Sequence, residues 1–244
     1  MSISENRRAE AGGVDSPGRE FDRRSAMKKL VVGGAIVWAS PAILSSAPAS
    51  ASPSAVCVTP AVAKKVDWDL FTTGSTFSST TVGGVLVTLT STFSGGAAAL
   101  SANKTIVASP QGAVSEKALR FEQTPVTGGS QSITLTFSTP VTAVTMPIYD
   151  VDTARRNWSD RIVVTTTPYS SSIVSPSTVN GTGTAVDPFK NSQTDNNFPN
   201  TSAEGNVTIG WAGPLSSVTF QFNCGSQDGG ANQLIGIGDI LFCA

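Results

Sequence analysis

From Asp67 onward, apolar residues recur at every second position. In Val85-Leu86-Val87-Thr88-Leu89-Thr90-Ser91-Thr92-Phe93 the odd positions are mostly apolar and the later even ones are threonine. Leu119 and Phe121 alternate with Arg120 and Glu122, and Ile133, Leu135 and Phe137 alternate with Thr134 and Thr136. Val218, Phe220 and Phe222 alternate with Thr219, Gln221 and Asn223. A period of two places one face of a strand on a core and the other on water. Gly, Pro, Asn and Ser clusters punctuate these runs, at Gly95-Gly96, Gly128-Gly129, Pro140, Gly181, Gly213-Pro214 and Gly229-Gly230. No window carries the 3.6-residue period of an amphipathic helix.

The pattern predicts an all-β chain of about ten to twelve strands. Its expected architecture is a two-sheet antiparallel sandwich of jelly-roll or immunoglobulin type. Ile133–Met146 is echoed 74 residues later by Val207–Phe220. Each unit is predicted to be a strand, a turn holding one proline, and a second strand, because proline suits a turn and has no ladder donor. Thr167–Ala203 is rich in Ser, Thr, Asn and Pro, with Ile173-Val174 and Ala185-Val186 as its strand fragments. It is expected to be a long exposed loop carrying short edge strands, the kind of segment where binding function sits.

The first 51 residues lie apart from this pattern. Met1–Asp22 is polar and charged, and Arg23-Arg24-Ser25-Ala26-Met27-Lys28 resembles the twin-arginine export motif. The apolar run Leu30–Leu44 is shorter than the roughly 20 residues of a spanning helix and is softened by Gly33, Gly34 and Pro41. Ala49-Ser50-Ala51 fits the small-residue rule of a signal-peptidase site. The expectation is a removed leader (1–51), exported with Arg23 and Arg24 engaging the export machinery and cleaved after Ala51. Retention as a membrane anchor is the other reading. A single domain over 52–244 is left, and its expected place is outside the cell or in the envelope of a bacterium.

Within 52–244 there are nine Lys and Arg against twelve Asp and Glu, a net charge of −3. No basic stripe is present for nucleic acid and no polybasic patch for a lipid surface. Export permits a disulfide. Cys57 opens the first strand candidate and Cys243 closes the last, and the chain ends of an antiparallel sandwich often lie side by side. Cys57–Cys243 is therefore the first choice, with Cys224–Cys243 as the runner-up.

Composition also removes chemistry. The sequence contains no histidine, so Ser-His-Asp and Cys-His catalysis and histidine-bound metals are excluded. No C-x-x-C pair supplies a thiolate zinc site, and no glycine-rich loop opens a helix to cradle phosphate. Paired carboxylates acting on a glycoside remain as the one enzymatic route, yet Glu116, Glu122 and Glu204 do not fall in the close spacing of jelly-roll glycanases. A non-catalytic chain without a resident cofactor is expected.

The densest chemistry lies in Tyr149–Ile162, YDVDTARRNWSDRI. Asp150 shares parity with Val144, Met146 and Ile148, and a core-facing carboxylate needs a partner. In one reading Asp150 and Asp152 cap the turn, accepting backbone N–H groups and pairing with Arg155, Arg156 or Arg161. In the other, Asp150, Asp152 and Asp160 offer oxygens to Ca²⁺. The spacing matches no EF-hand loop, and three arginines nearby favour the structural reading. Asp239 poses the same choice near the last strand. Trp158, in a polar loop flanked by Arg155 and Arg156, is the candidate for ligand contact, whereas Trp68 and Trp211 read as core.

TLTFSTPVTAVTMPIYDVDTARRNWSDRIVVT, a later Gly-Asn-Val-Thr strand and the closing IGIGDILFC together resemble a jelly-roll domain of bacterial surface proteins. The stretch, about Ala118–Cys243, is similar to the non-repetitive binding region of fibrillar adhesins. The resemblance implies adhesion or surface display. No sorting motif or apolar tail follows the last strand, so the expectation is a module released or held by partners. The function expected is binding of a glycan or extracellular protein. A jelly-roll carbohydrate-active enzyme with paired carboxylates and a purely structural envelope protein are the alternatives.

Overall fold

Alternating side chains produce strands here and almost nothing else. The computed structural model describes Cys57, residues 61–225 and residues 232–244. The leader, with Arg23, Arg24 and Ala51, lies outside the described residues. Fifteen strands run in chain order among the described residues. They are β1 (Ala63–Val66), β2 (Ser79–Val82), β3 (Val85–Ser94), β4 (Thr105–Val107) and β5 (Ala118–Gln123). Next come β6 (Ser130–Tyr149), β7 (Thr153–Ala154), β8 (Trp158–Val164), β9 (Ser170–Ile173) and β10 (Val179–Asn180). The last five are β11 (Phe189–Asn191), β12 (Val207–Trp211), β13 (Leu215–Cys224), β14 (Gln233–Ile237) and β15 (Ile240–Cys243). Several of the strands beyond the expected ten to twelve are two- or three-residue pieces such as β7, β10 and β11, too short to show a period.

The strand pairs are antiparallel and join into one connected sheet that curls as a half-barrel. β6 is the member they share. Its first half, Ser130–Phe137, lies between β3 and β13. Its second half, from Val144 to Ile148, pairs with β12 on one edge, while β14 and β15 take the other. One branch of the sheet therefore reads β2-β3-β6-β13-β8-β11-β10. The other joins β6 to β12 and β9, to β14, β5 and β4, and to β15 and β1.

The proline-bearing echo resolves in an unexpected way. The predicted turn at Pro140 does not form, because β6 runs through it as one strand. Ser138, Thr139 and Pro140 are exposed and have no register partner, so the missing N–H of Pro140 falls where the ladder is already interrupted. Nor do β12 and β13 form a hairpin. Both run antiparallel to β6, one after the other, with Trp211 opposite Val144 and Leu215 opposite Val141. The two echoed segments thus lie side by side as two strands bent at the same level. Ala143 N–H donates to Ala212 O across the bend at 2.9 Å.

Inward positions fill the core: Val87 and Leu89 from β3, Ile133, Leu135 and Phe137 from β6, and Val218, Phe220 and Phe222 from β13. Each such side chain contributes about 1.5–3 kcal/mol on burial. Trp211 is buried as expected and donates Nε1–H to Thr166 O at 2.9 Å. Trp68 is fully buried on a one-turn 3-10 segment, Trp68–Leu70, rather than on a strand. Its Nε1–H donates to Gly238 O at 2.8 Å, and its backbone N–H donates to Asp239 Oδ1 at 2.9 Å. Lys65 Nζ lies 2.8 Å from Asp239 Oδ2 and holds the pKa of its own ammonium above the usual lysine range through the Asp239 hydrogen bond. Asp239 is therefore a clamp between the first and last strands. In the Thr167–Ala203 region β9 contains Ile173, but Ala185 and Val186 form no strand. Val186 is 95% exposed in a turn closed by Asp187 and Thr184, because no neighbouring edge is there to pair it.

Cys57 and Cys243 are joined by a disulfide with Cα atoms 5.4 Å apart. Cys224 lies outside the bridge and is buried at 3% exposure. The bridge spans 186 residues of sequence, so it removes much chain entropy from the unfolded state. C57A is expected to lower unfolding free energy by about 2–5 kcal/mol, read as a fall in urea midpoint that a reducing agent reproduces in the parent chain.

Candidate functional site: an aspartate-lined recess

β6 ends at Tyr149, and the chain turns at once. Asp150 takes a left-handed backbone with φ of 69°, a conformation that Asp and Asn tolerate better than most residues. The alternation of β6 therefore stops here. β7 and β8 then form a tight hairpin, with Thr153 opposite Ser159 and Ala154 opposite Trp158. Arg156 sits at its tip with φ of 64°. Thr153 Oγ1–H donates to Trp158 O at 3.0 Å, and Asp160 N–H donates to Asp152 O at 2.9 Å.

Two of the three aspartates are consumed by this tying. Asp152 Oδ1 accepts from Trp158 Nε1–H at 2.6 Å, and Oδ2 accepts from Phe198 N–H at 2.9 Å. Asp160, fully buried, accepts from Asp152 N–H at 3.1 Å and from Gln233 Nε2–H at 2.9 Å. Gln233 in turn accepts from Gln123 Nε2–H at 2.9 Å, so a chain of buried amides backs the carboxyl. Burial pushes both carboxyls above the ordinary aspartate range. Asp152 keeps two donors that favour its charged form, while Asp160 lies deeper and is pushed up further by the neighbouring Asp152. These donors come from Trp158, Phe198 and Gln233, not from Arg155 or Arg161.

Asp150 is different. Its carboxyl makes no hydrogen bond to another described residue. Burial, then the neighbouring Asp152, push its pKa from 3.8 up to about 7, against a small opposing pull from Arg120 on β5. Capping of this turn thus belongs to Asp152 and Asp160, and Asp150, on a left-handed backbone, accepts no hydrogen bond from the described residues.

Asp150 and Asp152 face a recess of about 190 Å³, walled by Trp158, Asn197, Asn200 and Asn232. Trp158 is half-buried at the wall, and the end of the Thr167–Ala203 region supplies Asn197 and Asn200. Arg155 and Arg156 are exposed at the hairpin tip and do not line it. Arg155 N–H instead donates to Asp195 Oδ1 at 3.0 Å. For a metal, the donor set is poorly turned: both oxygens of Asp152 and of Asp160 already accept N–H groups. Among the described residues, no group of three carboxylate or thiol side chains is placed to hold an ion. The three asparagines were not legible as site residues, since nothing in their local sequence links them to Asp150.

The chain matches no protein-family model, no curated protein and no solved structure in comparisons with each.

Removing the tie and removing the unpartnered charge have opposite expected outcomes. D152A leaves the Trp158 indole N–H and the Phe198 N–H without acceptors and is expected to cost about 1–3 kcal/mol in urea unfolding. Asp150 is raised on folding, so the folded chain binds its proton more tightly than the unfolded chain does. Its contribution is intact at pH 4 and declines as the pH rises from 3.8 toward 7, then stays level. D150N, which keeps the left-handed backbone without the charge, should match the parent at pH 4. At pH 8 it should exceed the parent by on the order of 2 kcal/mol. Equal stability at pH 8 would contradict this electrostatic account.

Proposed function

We propose that this chain is an exported, non-catalytic binding module whose recess takes a sugar residue of a glycan. The observation that carries the reading is Asp150. A carboxyl held in a left-handed turn, half-buried and without a hydrogen bond from the described protein, costs stability and is available to a ligand. Around it stand three side-chain amides and an indole, the polar and aromatic groups that accept and stack on a hydroxylated ring. The recess is smaller than the roughly 300–1,000 Å³ of sites for drug-sized molecules, which suits a terminal sugar rather than a long chain.

The rest of the proposal follows from the expectations above. The two branches of the sheet are read as the two layers of a jelly-roll-like sandwich, similar to adhesin binding regions. Export through the twin-arginine route and cleavage after Ala51 deliver the chain to an oxidising compartment, where the Cys57–Cys243 bridge persists. Among the described residues no helix is long and apolar enough to cross a membrane.

One observation favours a second reading. A carboxyl raised to about 7 beside another carboxyl is the pairing used in glycoside hydrolysis, with one group as acid. A glycan array followed by calorimetry separates the two. The expected result is saturable binding of a neutral glycan without turnover, lost about tenfold or more in D150G, where glycine keeps the backbone and removes the carboxyl. Release of reducing ends from the same glycan would move the assignment to an enzyme. Binding unchanged in D150G would remove the recess from the account.

A further inference from the structure

The outward face of the β3-β6-β13-β8-β11 branch carries a second site, unrelated to the aspartate recess. Register places Ser94, Ser130, Asn223, Arg161 and Lys190 in one row across five neighbouring strands. Gln221 and Ser132 stand in the row behind. Arg161, Asn223, Gln221, Ser94 and Ser130 line a polar groove of about 360 Å³, with Pro188 at its lip. None of the lining residues is acidic.

Two atoms in this groove lack partners. Arg161 Nε and Asn223 Oδ1 are buried and make no hydrogen bond among the described residues. Arg161 is also cradled. A Cβ on Gly225 would lie 2.7 Å from Arg161 Nε and 2.7 Å from Ser159 Oγ, so glycine there leaves room for the guanidinium. Asp160, the adjacent acid, points to the opposite face of β8 and is occupied by Gln233 and Asp152 N–H. The fold thus fixes a permanently charged fork on a sheet surface and, among the described residues, supplies no carboxylate to it. A buried donor left unmade is costly, and a planar oxyanion offers a guanidinium two parallel hydrogen bonds.

We propose that this groove binds an acidic sugar, with Arg161 holding the carboxylate or sulfate and Asn223, Gln221, Ser94 and Ser130 meeting ring hydroxyls. Lys190, next in the row, adds a second positive charge at the edge. A nucleic acid is a poorer fit, because no aromatic side chain lines the groove for bases to stack on.

The test is affinity of the full chain for oligogalacturonate, a sulfated glycosaminoglycan oligosaccharide, a neutral dextran oligosaccharide and poly-glutamate, by calorimetry at two salt concentrations. The expected result is binding of an acidic sugar that weakens with salt and falls about tenfold or more in R161Q, with the neutral sugar and poly-glutamate weaker by a similar factor. Preference between uronate and sulfated sugar identifies which oxyanion is held. R161K, which keeps the charge but loses the fork, should bind more weakly than the parent with an unchanged thermal midpoint. D150G should leave this binding intact, which separates the groove from the recess. Equal affinity for poly-glutamate, or full binding in both Arg161 variants, would overturn the proposal.

Discussion

Everything in this fold hangs on the hydrogen bonding of one 20-residue strand. β6 has two edges along its whole length and must satisfy both, since an unpaired backbone group in the interior costs as much as a lost hydrogen bond. Five strands do so: β3 and β13 along its first half, β12, β14 and β15 along its second. The bend at Ser138–Pro140 is the one place where it releases its partners, and there the chain meets solvent. Bending one strand lets a single sheet curl over the core as a half-barrel. Position on β6 also decides where the recess falls. Its C-terminal end delivers Asp150 straight from a buried ladder into a turn, with no intervening exposed residue to relieve the carboxyl.

The three aspartates show how one short stretch divides its duties. Asp152 is stabilised by donors from Trp158 and Phe198 and fixes the hairpin against the later loop. Asp160 is enclosed by the amide chain from Gln123 through Gln233, and burial pushes its pKa above the ordinary aspartate range. Asp150 has burial without donors, so its charge opposes folding at neutral pH. Asparagine or glycine would hold that φ without the charge, so the carboxylate is a cost to the fold at neutral pH. Arg161 is the complementary case on the outer face of the same strand that bears Trp158. Both sites owe their character to β8, whose alternate residues point into the barrel and out of it.

Much of the architecture was legible because period-two patterning reports burial directly. β3 and β13 carry it without interruption, and their inward residues are the core. The disulfide was legible for a related reason, since the first and last strands pair, with Ala63 opposite Cys243. Pro140 misled because proline reports a missing ladder donor and says nothing of chain direction; a bend and a reversal look alike in sequence. The echo was real, but its meaning, two strands lying side by side, depends on pairings 59 or more residues apart. At Asp150 parity pointed to the core but the side chain is only half-buried, because the left-handed backbone there is a property of the turn and ends the alternation. Asn197, Asn200 and Asn232 reach the recess from two separate segments, and their own neighbours are unremarkable polar loop residues.

The central claim is that the end of β6 places a half-buried, unpartnered carboxyl at the recess. It is tested most directly by titrating Asp150 through its side-chain carbon resonance, assigned by comparison with D150N. The account predicts an apparent pKa near 7, falling when a bound sugar supplies hydrogen bonds to the charged form. A value near the ordinary 3.8 in the ligand-free protein would mean that the carboxyl is solvated or paired, and would contradict it.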